Sequence, residues 1–404
     1  MRTWENAEPP LKGDAGPGQR QGKTAFLLLL LIPLDCVITA AVMCTELLGR
    51  LCRRFAPRKP PQFPPPRPEC SFVIVAWNSQ SLLAESLPPL LQAIRQQGGK
   101  HEVIVLDNHS TDGTDEYIQR RFPEVRLVRT PANLYFGAGN RAGVQAATRD
   151  IVVMMNSDTV VRPGFLEPLL QALEDPAVFG VSSQVCGIDG ETGYTQGELH
   201  TSHIEWRHDS VPQLKRPQTC PVLWLHRAMF AVDRRKYLWL GGLDSLYDPV
   251  FFEDVDLSYR AWKAGWTCLL VPDSRVDHHH SLSVPDAGKS FLHILARRNQ
   301  YIFSWKNLND LRLIAGQGLH ASGIRIRRAR IPAIGMGREI RSFLGAIERL
   351  PRVLARRLAM SRSVTCADRQ VFSMAEQLDA AVLGGIAPGD AIAKAPARLA
   401  GDPS

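Results

Sequence analysis

Five short stretches hold side chains whose types and spacing could do chemistry. In "IVVMMNSDTVV", Ile151 to Val161, five apolar residues run into Asn156, Ser157 and Asp158. An amide and a carboxylate at the end of such a run are oxygen donors of the kind that hard divalent cations take. "VAWNS" ends on Ala76, Trp77 and Asn78, and "VLDNHSTDGT" delivers Asp107 and Asn108. In "FFEDVDLSYRAWKAGW", Glu253, Asp254 and Asp256 open an amphipathic run directly after Phe251 and Phe252. Acidic residues in a first helical turn complement the helix dipole. An apolar wall beside a carboxylate also raises its pKa toward the range useful for a general base. Finally, "VPDSRVDHHHS" ends in His278, His279 and His280, a pattern that suits either a solvated turn or a metal ligand.

The elements that must carry these residues follow from the hydrophobic pattern. "SFVIVAW" and "EVIVLD" are short apolar runs enriched in β-branched residues, and "VRLVRT" alternates. Helical patterns such as "SLLAESLPPLLQAIRQQ" and "TDEYIQRRF" separate them. This β-α-β-α-β rhythm predicts an α/β domain with a mostly parallel sheet and helices on both faces. Ligands of such sheets bind beyond the carboxyl ends of the strands, which is where the polar residues of the first three stretches fall. Each alone is also what a turn or helix cap uses. The glycines of "FGAGNRAG" have GxGxxxG spacing and do not open the first turn, which excludes a Rossmann dehydrogenase. They suit close helix packing or backbone approach to a ligand.

At 404 residues, 45% hydrophobic and 22% charged, the chain has room for one large catalytic domain with appendages or for two modest domains. Its 8 cysteines form no CxxC pair, which excludes a zinc ribbon and points to a reducing compartment. The net charge of +8 is concentrated: Arg312 to Arg357 holds eleven arginines against Glu339 and Glu348. Basic segments of this kind seek phosphates, and the scarcity of interleaved aromatics argues against nucleic acid.

Toward the N-terminus, "AFLLLLLIPLDCVITAAVMCT", Ala25 to Thr45, is 21 residues long with Asp35 as its single charge. Its length fits an uncleaved membrane anchor better than the shorter apolar core of a signal peptide. Asp35 is costly in mid-membrane, so an interfacial hairpin bending at Pro33 is the alternative. More basic residues follow the segment than precede it, which puts the catalytic domain on the cytoplasmic face. The predicted order is a tail (1–24), an anchor (25–49), a basic proline-rich linker (50–68), a catalytic domain (69–310) and an Arg-rich helical region (311–404) with a poorly ordered end. The helices of that last region either lie on anionic lipid or pack on the catalytic domain.

The succession "SFVIVAWNS", "EVIVLDNHSTDGT", "NLYFGAGNRAG", "VMMNSDTVVRPGFL", "FFEDVDLSYRAWKAGW" and "VDHHHSLS" resembles glycosyltransferase family 2, particularly its rhamnosyltransferase-like members. "RRNQYIFSWKNL" is similar to the helix that often follows the domain in that family. The resemblance implies a GT-A fold, a nucleotide-sugar donor, a divalent metal (Mn²⁺ or Mg²⁺) and inversion at the anomeric carbon. By the same resemblance, Asp158 and His278 are metal ligands, with Asn156 standing where the family's D-x-D motif has its first carboxylate. Asp254 is the base that deprotonates the acceptor, and Glu253 supports it. Ala76, Trp77, Asn78, Asp107, Asn108, Asn140, Asn156 and Ser157 line the donor site. The chain lacks the Q-x-x-R-W motif of processive synthases, so the expected reaction is a single addition to a glycan or lipid-linked acceptor. The rival expectation is a non-catalytic module that keeps the fold and binds nucleotide or glycan, favoured by the amide at Asn156.

Overall fold

The apolar β-branched runs become adjacent strands, and the helices between them bury one stripe each. A computed structural model of the protein describes residues 29–187, 191–199, 204–212, 218–279, 286–330 and 336–374. The tail, the first residues of the expected anchor, His280, parts of the loop between Gly187 and Cys220 and the chain end beyond 374 lie outside the described residues.

The chain divides into two units. The first consists of Met1–Leu51, Leu199–Glu205 and Leu282–Ala359, and the second of Cys52–Glu198, Trp206–Ser281 and Met360–Ser404. The elements run α1 (Ile32–Phe55), β1 (Cys70–Ala76), α2 (Gln80–Gln97), β2 (Glu102–Asp107), α3 (Thr114–Arg121), β3 (Arg126–Arg129), α4 (Tyr135–Ala146), β4 (Ile151–Asn156) and β5 (Thr159–Val161). They continue with α5 (Leu166–Ala172), β6 (Val178–Gly187), β7 (Glu191–Leu199), β8 (Ile204–Pro212), β9 (Cys220–Pro221), β10 (Met229–Asp233), α6 (Arg234–Trp239), α7 (Glu253–Lys263) and β11 (Thr267–His278). Then follow α8 (Asp286–Asn307), α9 (Leu311–Arg330), α10 (Met336–Ile347) and α11 (Leu350–Ser361).

In the sheet unit the strand order is β3-β2-β1-β4-β10-β6-β11-β5, with β9 paired to β11. The first four strands are parallel, as the alternating pattern implies. Beyond β4 the sheet is mixed, because β10 runs antiparallel to both β4 and β6 while β6 and β11 are parallel. β7 and β8 form a separate two-stranded sheet.

Both faces of β1 are covered, and its period of two assigns the layers. Phe72 and Ile74 join a buried cluster with Leu83 and Leu87 of α2 and Phe165 and Leu169 beside or within α5. Val73 and Val75 face the other way, toward α4. There Gly139 and Gly143, one helical turn apart, meet strand residues two apart. A Cβ on Gly139 would lie 2.8 Å from Val75 Cγ1, and one on Gly143 would collide with Val73 Cγ1. The two glycines therefore serve close helix packing.

The helical unit is organised around buried charge. Along α1 the buried residues include Asp35, Ile38, Val42, Glu46 and Gly49, a single stripe. Arg325 of α9 binds both oxygens of Asp35, at 2.6 and 2.9 Å. Its guanidinium lies 3.9 Å over the Phe343 ring. Glu46 is held by Arg357 of α11 at 2.8 Å, Asn309 at 2.5 Å and Arg50 at 3.1 Å. Glu339 joins Arg297 at 3.2 Å and accepts from the Tyr301 hydroxyl. Buried ion pairs of this kind add little net stability, yet removing one partner strands a charge at a cost of about 3–5 kcal/mol. They therefore fix which face of α1 turns inward. The segment "RRNQYIFSWKNL", similar to the helix that follows the domain in the resembled family, groups with this unit.

Candidate functional site

The site is built on the carboxyl ends of three neighbouring parallel strands. β2, β1 and β4 lie side by side, so Asp107, Ala76 and Asn156 finish in one row, with Ala76 opposite Asp107 and Val75 opposite Asn156. The loops beyond β1 and β2 are stitched together. Asn78, at φ 49, accepts from Thr111 N at 2.8 Å and donates from its own backbone to Ser110 Oγ at 2.9 Å. Trp77, 38% exposed, leaves an aromatic face at the mouth, suited to stacking on a planar base.

Asp107 and Asn108 are both buried. Asp107 accepts from Ser110 N at 3.1 Å, and its second oxygen lies 3.3 Å from Arg129 Nε. Asn108 turns toward the segment ahead of α4: its Oδ1 accepts from Leu134 N at 2.7 Å, and its Nδ2 donates to Asn133 Oδ1 at 3.0 Å and Tyr135 O at 3.2 Å. It thereby fixes the entry to α4, where Tyr135 sits at φ 61. Asn140 lies buried on α4 and donates to Phe136 O of its own helix.

The turn after β4 carries the metal candidates. Asn156 N donates to Ala228 O at 3.0 Å, and Ser157 Oγ lies 3.2 Å from Ser79 Oγ. β5 then runs antiparallel to the end of β11, with Thr159 opposite His278, and His279 N donates to Asp158 O at 3.0 Å. That register brings three side chains together. His278 Nε2 is 3.1 Å from Asp158 Oδ1 and 3.2 Å from Asn156 Nδ2. Turning the Asn156 amide about its last bond presents its oxygen to the same point. A carboxylate oxygen, an amide oxygen and an imidazole nitrogen then converge, a donor set that fits Mn²⁺ at least as well as Mg²⁺. Among the described residues no group of three or more His, Cys, Asp or Glu gathers here or elsewhere, so this set consists of one carboxylate, one imidazole and one amide.

The acidic pair sits on strained backbone. Phe251 and Phe252 have φ of 76 and 72, a region large side chains rarely adopt, and Phe252 caps α7 in the left-handed conformation. Arg141 of α4 grips Asp248 through two bonds of 3.0 and 2.7 Å, and Gly137 N approaches Pro249 O at 3.4 Å. The loop entering α7 is thus tied to α4. Glu253 is 1% exposed, and neither of its oxygens meets a hydrogen-bond donor among the described residues. Burial, followed by the charge of Asp254, pushes its carboxyl up. Burial raises Asp254 as well, opposed by Arg227 and by the backbone N–H of Val255, which donates to Asp254 Oδ1 at 2.9 Å. Two adjacent carboxyls with raised pKa values beside a cation are an arrangement suited to acid–base chemistry. Asp256, by contrast, is structural, bonded to Tyr247 at 2.8 Å and Arg260 at 2.7 Å.

Arg227 carries no motif and escaped sequence reasoning. It lies 5.0 Å over the Phe251 ring, adjacent in sequence to Ala228, whose carbonyl anchors Asn156. It therefore links the Asn156–Asp158 turn to the acidic pair. The one sequence signal was its place immediately before the apolar strand "AMFAVD".

Comparison with known proteins adds an independent line. The family model described as glycosyl transferase family 2 matches residues 71–238. The chain is 31% identical over 229 residues to the N-acetylglucosaminyl-diphospho-decaprenol L-rhamnosyltransferase of Mycobacterium tuberculosis, spanning 50% of this chain and 73% of that protein. Polypeptide N-acetylgalactosaminyltransferase 15 of Mus musculus is 29% identical over 195 residues, 44% of this chain and 30% of that protein. Among solved structures, GalNAc-T7 with UDP, GalNAc and Mn²⁺ is similar at 20% identity and TM-score 0.49, over 60% of this chain and 49% of that one. The mannosyltransferase PcManGT from Pyrobaculum calidifontis with GDP-Man and Mn²⁺ is similar at 17% identity and TM-score 0.42, over 82% of this chain and 97% of that one. Likenesses of that size carry no functional argument.

Proposed function

Because this chain belongs to glycosyltransferase family 2 and is a nucleotide-sugar transferase with a GT-A-like mixed α/β fold, we propose that it is a metal-dependent, inverting enzyme. In this reading it moves one sugar from a nucleotide-diphosphate donor to a hydroxyl of a membrane-proximal, lipid-linked glycan, on the cytoplasmic face. The carrying observation is the convergence of Asp158, His278 and Asn156 beside the ends of β4 and β11.

Each residue then has a definite task. Asp158 and His278 would hold the divalent metal, with Asn156 offering an amide oxygen. Such an ion, when bound, neutralises charge on the diphosphate leaving group. Trp77 and Asp107 engage the nucleoside, Ala76 and Asn78 shape the pocket floor, and Ser157 keeps the turn closed on Ser79. Asn108 and Asn140 act through the shape of α4 and its entry. Asp254 takes the acceptor hydroxyl's proton as that oxygen bonds to the anomeric carbon, and the nucleoside diphosphate departs from the opposite face with the bonding electron pair. Burial raises the Asp254 carboxyl above its ordinary value, the direction that strengthens a carboxylate as a base. Glu253, protonated in its buried place, keeps a second negative charge out of the site. A lipid-linked acceptor is supported by the name of the mycobacterial relative, and membrane association by α1, which has the length and hydropathy to cross a bilayer.

The test is transfer by the purified full chain with Mn²⁺, a panel of nucleotide sugars and lipid-linked acceptors, read by mass spectrometry of the product. Asp254→Asn should retain donor binding and lose about 10²–10⁴-fold in kcat. Unchanged turnover in that variant removes Asp254 as the base.

A further inference from the structure

Helix α1 has the length and hydropathy of a membrane span, yet one of its faces is buried against other helices of its unit. Its two carboxylates, Asp35 and Glu46, are eleven residues apart, about 16 Å along the axis. Each is bound by a different partner helix, Asp35 by Arg325 of α9 and Glu46 by Arg357 of α11. Among the described residues, α1 is the one helix long and apolar enough to cross a bilayer. Its partners are rich in arginine, and a charged side chain at the bilayer centre costs at least about 2.5–3.5 kcal/mol. Held along this length by α9 and α11, α1 does not expose its whole circumference.

The opposite side of α1 is apolar and open. Leu34, Val37, Leu48 and Leu51 follow one helical stripe and are 40 to 64% exposed. The ionised side chains exposed on the same unit, among the described residues, are Arg50, Arg312, Arg327, Arg341, Arg352 and Arg356 against Glu348 alone. An apolar stripe on a unit with a basic surface is complementary to anionic lipid.

We propose that the helical unit is a one-sided membrane seat: α1 lies along the surface of an anionic bilayer with its leucine stripe in the acyl boundary, while Arg325 and Arg357 hold its two carboxylates away from lipid. Both chain ends then remain on the same side. The inference rests on the reading that the protein works at a membrane, and it is independent of which sugar moves.

Two experiments on the full chain separate the inference from that reading. In flotation assays the protein binds vesicles of phosphatidylcholine with about 30% phosphatidylglycerol, and binding falls at least about tenfold on phosphatidylcholine alone or in about 0.5 M NaCl. Leu34→Gln with Leu48→Gln, both on the exposed stripe, lowers binding at least about tenfold with helicity unchanged. Absence of binding to either vesicle overturns the membrane reading itself. Equal binding to both vesicles, or full binding by the double variant, overturns the seat. For sidedness, Thr3→Cys and Ser404→Cys are placed singly in a chain whose Cys36, Cys44, Cys52 and Cys186 are changed to serine. In inverted membrane vesicles, an impermeant maleimide should label both positions from the same side. Labelling from opposite sides shows a span and overturns the seat while leaving the membrane reading intact.

Discussion

Burial and ionisation conflict most sharply at Glu253. Its carboxyl is buried without a donor, and its pKa is pushed from 4.5 up to about 8 by burial and by Asp254. In the unfolded chain the same group titrates at its ordinary value. Between those two values the unfolded state has released a proton that the folded state still holds, so stability falls as pH rises, by up to about 1.4 kcal/mol per pH unit. Below the window both states are protonated and the penalty is absent. Above it both are ionised and the penalty is constant. Glu253→Gln preserves the shape and removes the titration. The stability of the variant relative to the native protein should therefore grow by roughly 2–3 kcal/mol between about pH 5 and pH 7. Urea unfolding of the full chain in detergent, followed by tryptophan fluorescence across that range, measures the difference. Parallel pH dependences in the two proteins would refute the claim that Glu253 is buried neutral, and with it the division of labour between Glu253 and Asp254.

Other substitutions test the remaining geometry. Gly143→Ala should destabilise by about 1–2 kcal/mol, because overpacking against Val73 outweighs the roughly 1 kcal/mol that alanine adds to helix propensity. In a Val73→Ala background the same change should become neutral or stabilising in thermal melts. Asp158→Ala should abolish Mn²⁺ binding by electron paramagnetic resonance, and His278→Ala should weaken it at least about tenfold; undiminished binding in both places the metal elsewhere. Asn108→Ala removes hydrogen bonds to three residues of the 133–135 segment, so limited proteolysis there should accelerate by about an order of magnitude while the sheet melts nearly as before.

The row of polar residues at the ends of β1, β2 and β4 was legible in the sequence because apolar β-branched runs fix both the strands and the points where they end. The meeting of His278 with Asp158 depended on the pairing of β5 with β11, more than a hundred residues apart in the chain, which local pattern does not encode. The reversal of β10, which makes the far half of the sheet mixed, is invisible for the same reason. The resemblance implies a donor-site role for Asn108, and its hydrogen bonds go to Leu134, Asn133 and Tyr135, contacts across the fold that local pattern does not show. The seat on α1 was partly legible: Asp35 and Glu46 are close to three whole turns apart, so both lie on one face, a regularity that hydropathy alone conceals.

The end of β11 holds one more lesson. Along β6, Ser183 lies opposite Val271 and the next residue, Gln184, lies opposite Arg275, so Pro272, Asp273 and Ser274 are looped out of the ladder. Val271 and Val276 both reach the same buried cluster although their numbers differ by an odd amount, whereas an unbroken ladder from Val271 would put Arg275 opposite Gly187, where His278 now stands. The looped residues thus act as a spacer whose size is unimportant so long as pairing resumes at Arg275. Over evolutionary time, insertions there should be tolerated more readily than in the short stretch from Arg275 to His278, where a single added residue would exchange an imidazole for its neighbour.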